Sequence, residues 1–251
     1  MFSLHERAEL RDALLSAARR DARITGAALT GSGALGGEDR WSDIDLAFGV
    51  GDGVDLAAVV SEWTDAMYGR HGAVHHLDVT AGATLYRVFL LASTLQVDLV
   101  FSPASHFGAV AATFRLVFGV AEDLPAAVSP SAGELIGLGW LYALHARSSI
   151  ARERLWQAEY MISGLRDHVF ALACLRHGLS PNQGRGMDSL PAELLAGLSE
   201  VLVGSLEAAQ LQRAFRAAAE ALIVEAAHVD GGLARRLAEP LRELASGPGA
   251  A

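Results

Sequence analysis

The sequence predicts an α/β domain followed by an all-helical domain, and three observations carry that reading. Between about residues 24 and 119, short β-rich runs alternate with helical patterns. Beyond about residue 130 only helical spacing is left. The stretch between, Leu124-Pro125-Ala126-Ala127-Val128-Ser129-Pro130, has the composition of a linker. The α/β domain is accordingly drawn as 1–125 and the helical bundle as 130–246. A chain of 251 residues is long enough for two compact domains, each with a core.

In the first half, residues 24–31 (ITGAALTG), 42–50 (SDIDLAFGV), 73–80 (AVHHLDVT), 84–91 (TLYRVFLL) and 95–101 (LQVDLVF) are predicted strands. Residues 3–22 and 54–68 place apolar residues at helical spacing. LASTLQ, joining two of the strands, suits a short hairpin. In the second half, helices are expected over 131–149, 151–177, 189–203, 205–228 and 230–245. PNQGRG (181–186) reads as a loop, and SGPGAA (246–251) as a fraying tail.

Composition narrows the function. No apolar run reaches the roughly 18–20 residues needed to cross a bilayer. The opening MFSLHERAELRD is charged and amphipathic, without the apolar core of a secretory signal. The single cysteine, Cys174, rules out an intrachain disulfide framework, and a cytoplasmic protein is expected. A net charge of −9 argues against a sequence-independent grip on DNA or RNA, so no nucleic-acid partner is expected. All 20 basic residues are arginine, so any cationic side chain that holds phosphate must be arginine. Nothing in the sequence speaks to the oligomeric state.

The chemistry is concentrated in residues 30–46. A strand ends at Thr30-Gly31-Ser32 and opens into a short helix, where backbone N–H groups can receive a phosphate. Ten residues after Ser32 comes Ser42-Asp43-Ile44-Asp45. Strand residues two apart project to the same face, so both carboxylates can point together. Two adjacent anions repel, and a divalent cation between them removes the penalty. Asp98 lies in Leu95-Gln96-Val97-Asp98-Leu99-Val100-Phe101, among mostly apolar neighbours, where an ionised carboxylate needs a metal or a donor. Beside the first pair it would complete three carboxylates for two Mg²⁺ ions, a clamp for in-line phosphoryl displacement. Asp78, in His75-His76-Leu77-Asp78, competes for the place of third ligand. The two histidines, as strand neighbours, point to opposite faces and read as structural.

Gly-Ser, a spacer of about ten, Asp-x-Asp and a later strand Asp together resemble the DNA polymerase β-type nucleotidyltransferase superfamily. The resemblance covers roughly residues 24–119. It implies a mixed sheet with flanking helices, Mg²⁺, and an NTP donor that loses pyrophosphate, with ATP the expected donor. The helical second domain is similar in arrangement to that of antibiotic nucleotidyltransferases, which modify aminoglycosides or lincosamides. A small-molecule acceptor bearing a hydroxyl follows from that likeness. Gly31, Ser32 and Ser42 are the implied nucleotide-binding positions. Many relatives carry arginine shortly after Gly-Ser; this chain has Leu35 there, and Arg40 is the candidate substitute.

On the predicted helix 151–177, Arg152, Trp156, Glu159, Ser163, Arg166 and Phe170 share one face, separate from an apolar face of Leu155, Ile162, Leu165, Val169 and Ala173. The first face is expected to line the cleft opposite the α/β domain. There Arg152 or Arg166 would pair with triphosphate oxygens, and Trp156 would stack on a base or acceptor. Glu159 would accept the hydroxyl proton, with Asp167 and Asp98 as alternatives. Interdomain packing is the competing account of the same stripe. Two other functions fit the first domain: a protein-adenylylating regulator of the antitoxin type, and a non-catalytic nucleotide sensor. The first wants a helical partner with an Arg-x₄₋₆-His signature, which neither Arg166-Asp167-His168 nor Arg176-His177 meets. The second is not favoured by three intact Asp positions.

Overall fold

The computed structural model describes residues 2–126 and 128–246. Ala127 of the predicted linker and residues 247–251 of the predicted tail lie outside them. The chain divides into two compact units, Met1–Ala127 and Val128–Ala251.

The first unit begins with α1 (Leu4–Arg20), whose N-terminus is closed by a capping box between Ser3 and Glu6. Then come β1 (Ile24–Thr30), the one-turn helix α2 (Gly31–Ala34), β2 (Ile44–Val50), α3 (Leu56–Arg70), β3 (Ala73–Ala81), β4 (Thr84–Leu91), β5 (Gln96–Pro103) and β6 (Phe114–Gly119). The six strands form one sheet in the order β3-β4-β5-β2-β1-β6. Only β2 and β5 run parallel; every other neighbouring pair is antiparallel. The sheet is therefore mixed, as expected.

Alternation along the central strands separates two faces. Leu46 and Phe48 of β2 and Leu99 and Phe101 of β5 are buried with Leu14 of α1 and Val59, Trp63 and Met67 of α3. Burying each such side chain contributes roughly 1.5–3 kcal/mol. The residues between them, Asp45, Ala47, Asp98 and Val100, must point to the other face.

β6 was not expected. It is an edge strand with a register break against β1 between Ala27 and Ala28. Its burial follows no two-residue period, so hydrophobic alternation does not mark it as a strand.

Asp21 ties the start of the sheet to α1 and α3. Its carboxylate accepts from Arg23 Nε and Nη2 (both 2.9 Å), from the Arg23 backbone N–H (3.1 Å) and from Trp63 Nε1 (3.1 Å). These donors, Arg23 foremost, hold its pKa down at about 2. A carboxyl lowered in the folded state stabilises above its unfolded pKa and stops doing so as pH falls through the folded one. Asp21 is therefore expected to contribute roughly 2 kcal/mol at neutrality, lost between about pH 4 and pH 2. Denaturant melts of Asp21→Asn and wild type should differ at pH 7 and converge near pH 2. A constant difference across that range would show that the ionised form is not what stabilises.

The second unit is all helical: α4 (Ala132–Ala151), α5 (Leu155–Arg176), α6 (Ala192–Leu198), α7 (Ala208–Val229) and α8 (Gly231–Leu244). Ile162, Leu165 and Val169 of α5 are fully buried with Phe215 and Leu222 of α7. Arg176 bonds both oxygens of the buried Glu225, at 3.0 and 2.8 Å.

Two helical expectations are corrected. The helix predicted over 151–177 is broken at its start. Arg152 is the C-cap of α4, and Glu153 sits in the left-handed region at φ 56°, a conformation that ends a helix. The helix predicted over 189–203 is reduced to α6 between two 3₁₀ turns. Pro191, with no N–H to donate, stands at its N-cap.

Candidate active site

The site is built where β1 ends and β2 begins. Gly31 leaves β1 at φ +56°, a region that favours glycine. A Cβ at this position would lie 2.1 Å from Asp45 Oδ2 and 2.8 Å from Asp45 Cγ. Glycine is thus required twice, by its backbone angle and by the carboxylate packed against it. Ser32 and Gly33 follow in α2, whose N-cap Thr30 makes no side-chain cap.

Asp43 precedes β2 and Asp45 is its second residue, so both stand at the same end of the strand. In the parallel pairing of β2 with β5, Asp45 is directly opposite Asp98. Asp43, Asp45 and Asp98 each offer a carboxylate oxygen within 4.8 Å of the others, and all three are half-buried. Burial pushes the Asp98 carboxyl above the usual carboxylate range, and the charge of Asp43 pushes it the same way. The Gln96 Nε2 hydrogen bond, at 2.9 Å, only partly opposes them. A cation among the three would reverse that balance, because it favours the ionised form.

The loop from Gly36 to Asp43 is held against α1. The buried Arg7 donates through Nη1 to the carbonyls of Asp39 and, at 3.0 Å, of Ser42. Arg11 Nη1 bonds Glu38 Oε2 at 2.8 Å. The Ser42 hydroxyl accepts the Asp39 N–H at 2.9 Å and donates to Asp39 Oδ1 at 3.1 Å. From the other side, Arg115 of β6 donates to the Gly33 carbonyl at 3.1 Å. Sequence reasoning missed Arg7, Glu38 and Arg115. Arg7 did leave a signal, since it precedes Leu14 by seven residues and so shares the apolar face of α1.

Arg40 stacks over the Trp41 ring, 4.4 Å from its centroid. Asp78 is bound by Arg87 through both carboxylate oxygens at 2.6 Å, on the β3–β4 pair, and is not part of the carboxylate cluster. His76 bonds the Tyr68 hydroxyl at 2.9 Å.

In the helical unit, Trp156 is exposed. Glu159 accepts from Ser163 Oγ at 2.6 Å, Arg166 Nη1 donates to Ser163 at 3.3 Å, and Arg166 Nη2 bonds Asp167 at 2.7 Å. Arg152 is not on this helix, so the predicted stripe loses its first member. It also loses its last: Phe170 packs against the helical core. Trp156, Glu159, Ser163 and Arg166 remain on it, the last three joined in a polar chain that ends at Asp167.

Gly31→Ala is expected to disrupt the site more than the fold. The methyl group would force either the turn or the Asp45 carboxylate to move, and with it the spacing of Asp45 from Asp43 and Asp98. Left-handed strain adds about 1–2 kcal/mol of destabilisation. Divalent-cation titrations with melting curves would check this; a cation response equal to wild type would mean that the turn and Asp45 are not coupled.

No family model matches the chain, and no curated protein matches it. The chain is similar to a crystal structure of an aminoglycoside 6-adenyltransferase from Bacillus subtilis. That likeness has 13% sequence identity, covers 96% of this chain and 99% of that one, and has a TM-score of 0.42. No helix among the described residues is long and apolar enough to cross a membrane.

Proposed function

We propose that this protein is a Mg²⁺-dependent nucleotidyltransferase that moves AMP from ATP to a hydroxyl of a small molecule, of the aminoglycoside or lincosamide kind. The observation that carries the reading is the convergence of Asp43, Asp45 and Asp98 on one end of the sheet, against the Gly31 turn. Three carboxylates in such proximity repel one another unless a cation joins them, and their all-oxygen donor set suits Mg²⁺. Two Mg²⁺ held there would supply positive charge to the phosphoryl oxygens during displacement.

The chain's own residues do the rest in this reading. Gly31 and Ser32 receive phosphate through backbone N–H groups and the hydroxyl. Ser42 keeps the loop into Asp43 closed. Arg40 and Arg166 are the arginines assigned to triphosphate oxygens, Trp156 to stacking on the acceptor or base, and Glu159 to the proton of the attacking hydroxyl.

The test is incubation with Mg²⁺, labelled ATP and a panel of aminoglycosides and lincosamides, read by mass spectrometry. An acceptor gaining one AMP supports the proposal. AMP on a protein instead would support the regulatory reading, and ATP binding with no transfer to any acceptor would support the sensor.

Asp98 gives a second check. Mg²⁺ with ATP should raise the melting temperature by mass action, and Asp98→Asn should lose most of that rise. Without Mg²⁺ the same variant should be no less stable than wild type, because it removes a carboxylate that burial and Asp43 both disfavour. An undiminished shift would exclude Asp98 as a ligand.

A further inference from the structure

The sheet face that carries Asp45 and Asp98 continues past them into a cavity that the metal site and the phosphate turn do not use. Two residues along β2 and β5 stand Ala47 and Val100, paired with each other as the aspartates are. At strand rise they lie about 7 Å from the carboxylate pair. Ser102 follows on β5, 4% exposed.

The segment after β5 folds back over this face. Phe107, 2% exposed, lies flat on two glycines. A Cβ at Gly26 or Gly49 would come within 2.6 or 2.9 Å of its ring. The Phe107 carbonyl is fixed by the Glu122 N–H at 2.8 Å. Between this anchored segment and the sheet is a cavity of about 170 Å³. Thr30, the residue before Gly31, forms one wall, so the cavity adjoins the phosphate turn.

Its chemistry is selective. Ala47, Val100 and Phe114 make apolar walls, His106 and Tyr86 stand at its edge, and among the described residues no Asp, Glu or Arg lines it. No carboxylate or guanidinium stands there to pair with a charged group, which would lose much of its hydration. Among its polar groups, the hydroxyls of Thr84 and Ser102 share one hydrogen bond of 3.0 Å. Two hydroxyls joined by one bond keep a second proton and several lone pairs. That pair can both donate to and accept from a ligand edge. A cavity of roughly 150 Å³ accepts one six-membered ring, and this one is of that size.

We infer that the cavity binds one uncharged ring of a reactant, laid on Ala47 and Val100 and held at its polar edge by Thr84 and Ser102. The inference rests on the nucleotidyl-transfer reading only in naming the ring's two sources: the base of the donor or a neutral ring of the acceptor.

Two variants test it in the full chain. Ser102→Ala removes half of the hydroxyl pair. Ala111→Trp fills the mouth from an exposed position of the overlying segment. Calorimetry with Mg²⁺ compares ATP with inorganic tripolyphosphate, which has no ring. Saturation-transfer NMR probes methyl α-glucopyranoside and myo-inositol. If the donor base occupies the cavity, ATP affinity falls roughly tenfold in both variants while tripolyphosphate affinity is unchanged. If the acceptor ring does, ATP affinity is unchanged, and a carbohydrate signal seen with wild type is lost in both variants. The inference is overturned if neither ATP affinity nor any carbohydrate signal responds to either variant. Should Ala111→Trp melt early, Ser102→Ala alone decides. Tripolyphosphate that fails to bind wild type with Mg²⁺ would sink the transfer reading, while the carbohydrate signals still test the cavity.

Discussion

Asp45→Asn is expected to abolish nucleotidyl transfer while leaving the fold intact, and Asp43→Asn is expected to do the same. Asparagine keeps the shape of the side chain, so the packing of Asp45 against Gly31 is retained. What is lost is one negative charge from a set of three whose oxygens lie within 4.8 Å. Metal-borne stabilisation of phosphoryl transfer is worth several kcal/mol, and each 1.36 kcal/mol is tenfold in rate. The loss should therefore reach about 10³-fold or more. The melting temperature of Asp43→Asn without Mg²⁺ should match or exceed wild type, since mutual repulsion of the carboxylates is reduced. Single-turnover assays with labelled ATP, beside melting curves, make the comparison. Near-normal turnover in either variant would refute the site assignment.

The next largest effect is expected at Glu159. If its carboxylate takes the proton of the attacking hydroxyl, Glu159→Gln should lower kcat about 10²–10⁴-fold, the usual cost of losing a general base. Nucleotide affinity should barely change, because Ser32, the aspartates and an arginine hold the triphosphate in this proposal. Arg166→Ala should show the reverse pattern. It should weaken nucleotide binding by roughly 1.5–3 kcal/mol, the worth of a charged hydrogen bond, with a smaller effect on kcat.

The local network supplies the competing outcome. Glu159 accepts from Ser163, and Arg166 is paired with Ser163 and Asp167. A purely structural role for this chain of bonds predicts that both variants lose some stability and that kcat and nucleotide affinity stay level. Steady-state kinetics on both proteins, with thermal melts, separates the two patterns.

Much of the first unit was legible because its central strands are short apolar runs bounded by turn residues. ITGAALT, IDLAFGV and QVDLVF each present an apolar set to one face, and the boundaries of β1, β2 and β5 fall within two residues of those expected. β6 was not legible, because an edge strand with a register break carries no such period. On the helical side, periodicity found α4 and α7 but ran through Arg152-Glu153-Arg154. The left-handed residue there is a glutamate rather than a glycine, so the usual stop signal is missing.

At the site, the sequence by itself determined the residue types and half of the geometry. Asp43 and Asp45 are two apart, and Gly31-Ser32 lies at a strand end; both facts follow from local chain geometry. The choice between Asp98 and Asp78 as third carboxylate could not be made that way, because both sit in strands and the distance between strands is not written in either. The tertiary structure decided it through strand order. Parallel pairing of β2 with β5 puts Asp98 across from Asp45, whereas Asp78 lies on the edge strand β3 and is taken by Arg87. The same holds for Arg7, whose carbonyl partners are 32 and 35 residues away. Local pattern reports which face a side chain takes; only the pairing of distant segments reports what that face meets.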